Sequence, residues 1–187
     1  MLFRSIGGGT IVNGPSANIS GVFDLGGTST TKITNTNILP GGILDGVGTL
    51  TGNVNNSGYF NPGNSPGLVT ILGNYLQSPT GVLNIEIGGV TPGTQFDSIN
   101  VSGNTTLGGI LNILQFAGFT PVSGSSFGFI NTGGFASGSF ASTTFSSAFA
   151  GASLSYNSGF INLVLSPSVS SLAGVVAAQL TPQGEVT

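Results

Sequence analysis

Apolar residues in this chain come in short runs with a period of two, and each run stops at a glycine-, asparagine- or proline-rich break. Between about residues 19 and 115 the runs are Gly21–Leu25, Thr31–Thr34, Gly48–Gly52, Leu68–Leu72, Val82–Ile87, Ser98–Val101 and Leu107–Leu114. Each is rich in Val, Ile, Leu or Thr and about four to eight residues long, which predicts strand rather than helix. Leu83, Ile85 and Ile87 share one face, and Asn84 and Glu86 the other. The run 110–114 is apolar on both alternations apart from Asn112, so it is expected to bury much of both faces.

The breaks carry turn chemistry. They are Gly26-Gly27, Pro40-Gly41-Gly42, Asn55-Asn56, Asn61-Pro62-Gly63, Ser65-Pro66-Gly67, Gly88-Gly89 and Pro92-Gly93. Gly and Asn accept the positive φ of tight corners, and Pro presets φ on the way in. Three runs also end alike: Thr49–Asn53, Thr70–Asn74 and Asn100–Asn104 each finish Gly-Asn, at spacings of 21 and 30 residues. A unit of about 20 to 30 residues fits one rung of a solenoid. The expected fold is therefore all-β, a parallel β-helix or β-solenoid over residues 6–115. An antiparallel β-sandwich is the alternative, disfavoured because clean two-residue hairpin spacing is absent.

The pattern changes at residue 116. Nine of the 13 Phe lie in the next stretch: Phe116, Phe119, Phe127, Phe129, Phe135, Phe140, Phe145, Phe149 and Phe160. Large rings among Gly, Ser and Ala predict a compact β cap over residues 116–165, with Asn162–Leu165 as its last strand. Beyond Pro167, Val169, Leu172, Val176 and Leu180 fall at helical spacing, so residues 166–187 read as a linker or short helix. Met1–Ser5 resemble the translated end of a sequencing adapter. Residues 1–5 are thus read as a non-native leader, with an ordinary start as the alternative.

Composition removes whole classes of chemistry. Among 187 residues there is no His and no Cys, which excludes thiol nucleophiles, His-based acid–base catalysis, Cys/His zinc sites and disulfides. Only 4% of residues are charged, against roughly a quarter in ordinary soluble domains. With two Lys+Arg in the whole chain, phosphate neutralisation is out of reach, so nucleic acid is not an expected partner. Mean hydropathy is +0.40, yet the longest apolar-plus-Gly stretch, Leu172–Ala178, is far short of the roughly 20 residues of a helical membrane span.

The carboxylates are Asp24, Asp45, Glu86, Asp97 and Glu185. Glycoside hydrolysis needs two of them facing each other across a groove. Glu86, between Ile85 and Ile87, is expected to point to solvent. Asp24 and Asp45 adjoin glycine corners, where Asp hydrogen-bonds the local backbone, and Asp97 reads as a turn residue before a strand. No Gly-Gly-x-Gly-x-Asp calcium repeat and no phosphate loop occurs in the sequence. The sequence accordingly nominates no catalytic, cofactor-binding or metal-binding residue, and no cofactor.

Gly48–Gln77, Leu83–Gly89, Phe96–Gly103 and Gly118–Gly124 together resemble the C-terminal passenger region of bacterial autotransporters, the type V secreted proteins. The run Asn61-Pro-Gly-Asn-Ser-Pro-Gly67 is the most specific part, and the likeness spans about residues 46–165. The resemblance implies a right-handed β-helix displayed at the cell surface or released outside the cell. It implies a non-enzymatic stalk or adhesin scaffold, whose C-terminal module assists folding during export. It also implies surface or carbohydrate contacts, and an outer-membrane barrel in the full-length protein. A self-assembling extracellular filament subunit and a β-helix carbohydrate-active enzyme are the alternatives.

Overall fold

The computed structural model describes residues 13–26 and 29–166. The expected 1–5 leader and the helix or linker beyond Pro167 lie outside the described residues. Of the described residues 57% are strand and 2% helix, the latter a single 3-10 turn, Ser147–Phe149, so they form no helix-packed α/β core.

Among the described residues eighteen strands follow in order, the first nine being β1 Asn13–Ile19, β2 Val22–Asp24, β3 Ser29–Ile38, β4 Ile43–Gly46, β5 Gly48–Leu50, β6 Asn53–Asn56, β7 Tyr59–Pro62, β8 Leu68–Ile71 and β9 Tyr75–Gln77. Then come β10 Val82–Ile87, β11 Ser98–Val101, β12 Thr105–Leu107, β13 Ile110–Gln115, β14 Ser126–Thr132, β15 Ala136–Gly138, β16 Ser142–Phe145, β17 Ala152–Tyr156 and β18 Phe160–Leu165.

They build three sheets. The first runs β2-β4-β7-β10-β13-β16. The second runs from the start of β3 through β5, β8, β11 and β14 to β18 and β17. The third takes β1, the end of β3, β6, β9, β12 and β15. From β4 to β16 the chain visits the sheets in the same order on each pass, so each of these rungs contributes one strand to each sheet. Pairings among β1 to β16 are parallel, which rules out the antiparallel sandwich. The fold is all-β and solenoid-like.

Alternation decides what each rung buries. Leu44, Leu50 and Val54 come from the three sheets of one rung, and all join a single apolar core with Phe60, Val69 and Tyr75 of the next. In β10, Leu83, Ile85 and Ile87 are buried, as their spacing predicts. In β13 only Leu111 and Ile113 are buried; Ile110 and Leu114 are exposed, so the expectation that this strand buries both faces is corrected. The first sheet has a core on one face only, and the second alternation looks outward.

Outward Asn residues form ladders along the stack. Asn84 donates Nδ2–H to Asn61 Oδ1 at 2.7 Å, 23 residues away, and Asn112 donates to Asn84 at 2.8 Å, 28 residues away. A second ladder runs through the Gly-Asn corners: Asn74 donates to Asn53 Oδ1, and the Asn104 backbone N–H to Asn74 Oδ1. This explains the Gly-Asn repeat seen in the sequence. Asn55-Asn56, expected to be a corner, lies inside β6, because rung stacking gives each Asn amide a partner above or below.

The rungs lengthen towards the C-terminus, and over the first three of them most of the extra residues enter at one corner. Between the first-sheet and second-sheet strands lie Val47 alone, then Gly63–Gly67, then Gly88–Asp97, then Phe116–Ser125. That growth is why the repeat spacing is irregular.

At the C-terminal end, β18 pairs antiparallel with β14, and β17 with β18, closing the second sheet. Phe127 is the centre of the cap: it meets Phe96, Phe119 and Phe149 edge to face, at ring separations of 5.6, 6.1 and 6.1 Å. Of the nine Phe in this stretch, only Phe127, Phe129, Phe140 and Phe149 are buried; Phe135 and Phe160 are exposed.

Candidate functional site

The lengthening corner creates a cleft. Beside the outer face of the first sheet, Gly63 and Ser65 of one corner and Asp97 at the end of the next border about 280 Å³, lined also by Asp45, Asn61, Glu86 and Leu114. The Asn61-Pro-Gly-Asn-Ser-Pro-Gly67 run supplies one wall. Three of the five carboxylates thus meet in one place, although their sequence positions gave no sign of it.

The three aspartates among these carboxylates accept backbone donors. Asp24 Oδ1 accepts the Gly26 N–H at 2.8 Å and Asp45 Oδ1 accepts the Gly46 N–H at 2.9 Å, as their glycine corners predict. Asp97 goes further than a turn residue. It is 2% exposed, its Oδ1 accepts the Gly67 N–H at 2.8 Å, and its Oδ2 accepts the Glu86 N–H at 2.7 Å. Glu86 lines the cleft half-buried rather than standing free in solvent.

Burial, the main cause, pushes the Asp97 carboxyl up to about 7; its two N–H bonds pull the other way, and Glu86 and Asp45 add repulsion. Asp45 is raised for the same main reason, with Asp24 and Glu86 adding to it. No cation lines this cleft. Lys32 lines a separate, more open one of about 390 Å³ with Thr34, Thr51 and Asn53.

Both Asp97 oxygens accept main-chain N–H groups, and one Asp45 oxygen accepts from its own corner. Among the described residues no group of three or more His, Cys, Asp or Glu is arranged to hold a metal ion. No described helix is long and apolar enough to cross a membrane.

A second polar cluster is inside the core, where sequence reading found nothing. Asn56, Gln77 and Tyr75 are almost wholly buried. Asn56 Nδ2 donates to Gln77 Oε1 and to the Val82 carbonyl, both at 3.0 Å, and the Tyr75 hydroxyl donates to Gln77 Oε1. Gln77 Nε2 reaches the carbonyls of Gly81 and Ile110. Its polar atoms are satisfied internally, so the cluster joins rungs and offers nothing to a ligand. Burial raises the Tyr75 phenol above its ordinary value. The position of Gln77 just before a Ser-Pro corner was the only available sign.

No family model matches the chain, and no curated protein matches it by sequence.

Proposed function

We propose that this chain is a non-enzymatic passenger segment of an autotransporter-like protein, displayed at the cell surface or secreted, in which the rungs act as a stalk or adhesin scaffold. In this reading the three sheets close into a right-handed parallel β-helix, and residues 116–165 are the module that folds first and assists export. The observation that carries it is the continuity of the stack. Parallel rungs pair from β2 to β16 and are tied by Asn ladders, with antiparallel β17 and β18 closing the C-terminal end. Such a body is self-supporting, needs few charges, and presents a long polar surface. Without Cys, it also forms no disulfide that would block passage through a narrow pore.

The test is display. The chain is fused ahead of an outer-membrane barrel in a Gram-negative host, beside a version ending at residue 115. The reading expects a protease-resistant surface body for the longer chain and its loss for the shorter. Equal display and equal resistance of both would overturn the role of the C-terminal module. An unfolded, protease-sensitive longer chain would overturn the scaffold. Sequencing the flanking reading frame for an export signal and a barrel checks the same proposal independently.

A carbohydrate-active enzyme on this fold is the second reading, favoured by Asp45, Glu86 and Asp97 lining one cleft. The backbone bonds to both Asp97 oxygens weigh against it. Release of reducing ends from a panel of polysaccharides, abolished by Glu86→Gln, would establish the enzyme in place of the scaffold.

A further inference from the structure

Two polar ladders on the outside of the stack end in an exposed aromatic ring. On the second sheet, Thr49, Thr70, Asn100 and Asn131 occupy one outward column, and Asn131 donates Nδ2–H to Asn100 Oδ1 at 2.8 Å. The next in-register position is Phe160 on β18, 53% exposed. At the Gly-Asn corner each Asn Oδ1 accepts the backbone N–H of the residue one rung on: Asn53 that of Asn74, Asn74 that of Asn104, and Asn104 that of Phe135 at 2.9 Å. Phe135 thus stands where a further Asn would continue the ladder, and it is 76% exposed. Neither ring joins the apolar core, and among the described residues these are the two exposed Phe.

The two rings belong to one patch. Thr132 N–H donates to the Gly159 carbonyl at 2.8 Å and Ala136 N–H to that of Ser158 at 3.2 Å, so the turn between β17 and β18 lies against the β14–β15 corner. Tyr156 opens that turn, 40% exposed, its ring 6.5 Å from that of buried Phe140. The same two segments carry Ser137, Ser139, Asn157 and Ser158, all exposed and uncharged.

Charge divides the molecule in two. The described charged residues, Asp24, Lys32, Asp45, Glu86 and Asp97, all precede β11, and residues 98–184 contain no Asp, Glu, Lys, Arg or His. The rung β13-β14-β15 and the strands beyond it therefore carry no charged side chain. Contiguous exposed apolar surface marks a site of protein or membrane contact. Here the rings stand at a corner and beside a turn, so they project outward rather than line a groove. A projecting surface of rings suits a deformable apolar phase, and with no charge nearby its entry carries no cost of stripping water from an ion.

We propose that this end of the stack is a lipid-docking surface: Phe135, Phe160 and Tyr156 enter the boundary between headgroups and acyl chains of a bilayer, while the charged rungs stay in water. Aromatic rings collect at that boundary in membrane proteins generally. The inference stands apart from the passenger role and holds whatever the chain is attached to.

The experiment uses the whole chain. It has no Trp, so one introduced Trp reports its own surroundings. Phe135→Trp is titrated with phosphatidylcholine vesicles and with phosphatidylcholine–phosphatidylglycerol vesicles, beside Val90→Trp at an exposed corner of an earlier rung. The docking surface predicts blue-shifted emission and quenching by brominated acyl chains for Phe135→Trp, and neither for Val90→Trp. Because no charge takes part, the binding midpoint should be the same for both vesicles and from about 0.05 to about 0.5 M salt. Adding Phe160→Ser to Phe135→Trp should weaken the midpoint by about tenfold. Adding Leu172→Ser instead, in the apolar stretch Leu172–Ala178, should leave it unchanged. The substituted rings are exposed, so the variants keep the fold, which circular dichroism checks. An unshifted Phe135→Trp spectrum overturns the proposal. So does an equal shift in Val90→Trp, or binding that Leu172→Ser abolishes and Phe160→Ser keeps. If sedimentation instead shows a dimer that Phe160→Ser dissolves and vesicles do not bind, the surface takes a second copy of the chain and the lipid proposal fails.

Discussion

Asn56 and Gln77 are register neighbours on adjacent rungs, both directed into the apolar core, with Asn56 Nδ2 3.0 Å from Gln77 Oε1. The position one rung earlier in the same column is Ile38, so a polar pair replaces an aliphatic stack in mid-core. Each amide also bonds backbone: Asn56 receives the Gly58 N–H, and Gln77 donates to Gly81 and Ile110. Gln77→Leu should therefore destabilise the chain by about 1–3 kcal/mol for each buried group left unpaired. Asn56→Leu combined with Gln77→Leu should cost less than the two singles together, because the second change removes a partner already orphaned. Urea unfolding of the three variants measures the coupling, and simple additivity would contradict it.

Tyr75 gives the same network a spectroscopic readout. Its buried phenol is raised above the ordinary value, so it stays protonated where an unfolded phenol ionises. The unfolded phenol releases its proton near about 10. Stability from this group is accordingly complete below that value and falls as pH rises beyond it. Ultraviolet titration should show Tyr75 ionising only together with unfolding, and Tyr75→Phe should remove that step at a cost of about 0.5–1.5 kcal/mol.

Gly63 and Gly118 both have positive φ, of 121° and 70°. A Cβ at Gly118 meets nothing within 4 Å, whereas at Gly63 it meets Asp97 Oδ1 at 2.3 Å and the Gly67 nitrogen at 2.6 Å. Gly118→Ala should cost only the backbone term, about 1–2 kcal/mol. Gly63→Ala should cost clearly more and expose the cleft corner to proteolysis. Equal urea midpoints for the two would mean that the packing around Asp97 is not tight.

Asn84 is the middle of a three-Asn ladder, bonded to Asn61 on one side and Asn112 on the other. Asn84→Ala should cost about 0.5–1.5 kcal/mol for each of the two bonds. Asn64→Ala, at an exposed corner position, should stay within about 0.5 kcal/mol of the parent. Chemical denaturation of both variants distinguishes a structural ladder from decorative surface Asn.

The aromatic cap should divide sharply by burial. Phe127→Ala removes the ring that meets Phe96, Phe119 and Phe149, and should cost about 3–5 kcal/mol. Phe135→Ala and Phe160→Ala, at 76% and 53% exposure, should change stability by no more than about 0.5 kcal/mol. Refolding of residues 6–165 against 6–115 then tests whether this end nucleates the rungs: a shorter chain that refolds as fast and melts as high would show that it does not.

What the sequence determined by itself was local. Val82–Ile87 and Ser98–Val101 are strands with the bounds their alternation predicts, because a period of two is set within one segment. Pro40–Gly42, Ser65–Gly67 and Pro92-Gly93 are corners, because their backbone preferences need no distant partner. The short strands β6, β9 and β12, with few apolar residues each, were not legible. Their stability comes from rungs above and below rather than from their own composition. The tertiary structure alone decided that Asn55 and Asn56 lie within a strand, that Ile110 and Leu114 face outward, and that Asp45, Glu86 and Asp97 share a cleft. Each of these depends on register between residues roughly 15 to 50 positions apart, and stacking distance, not sequence distance, sets which side chains meet.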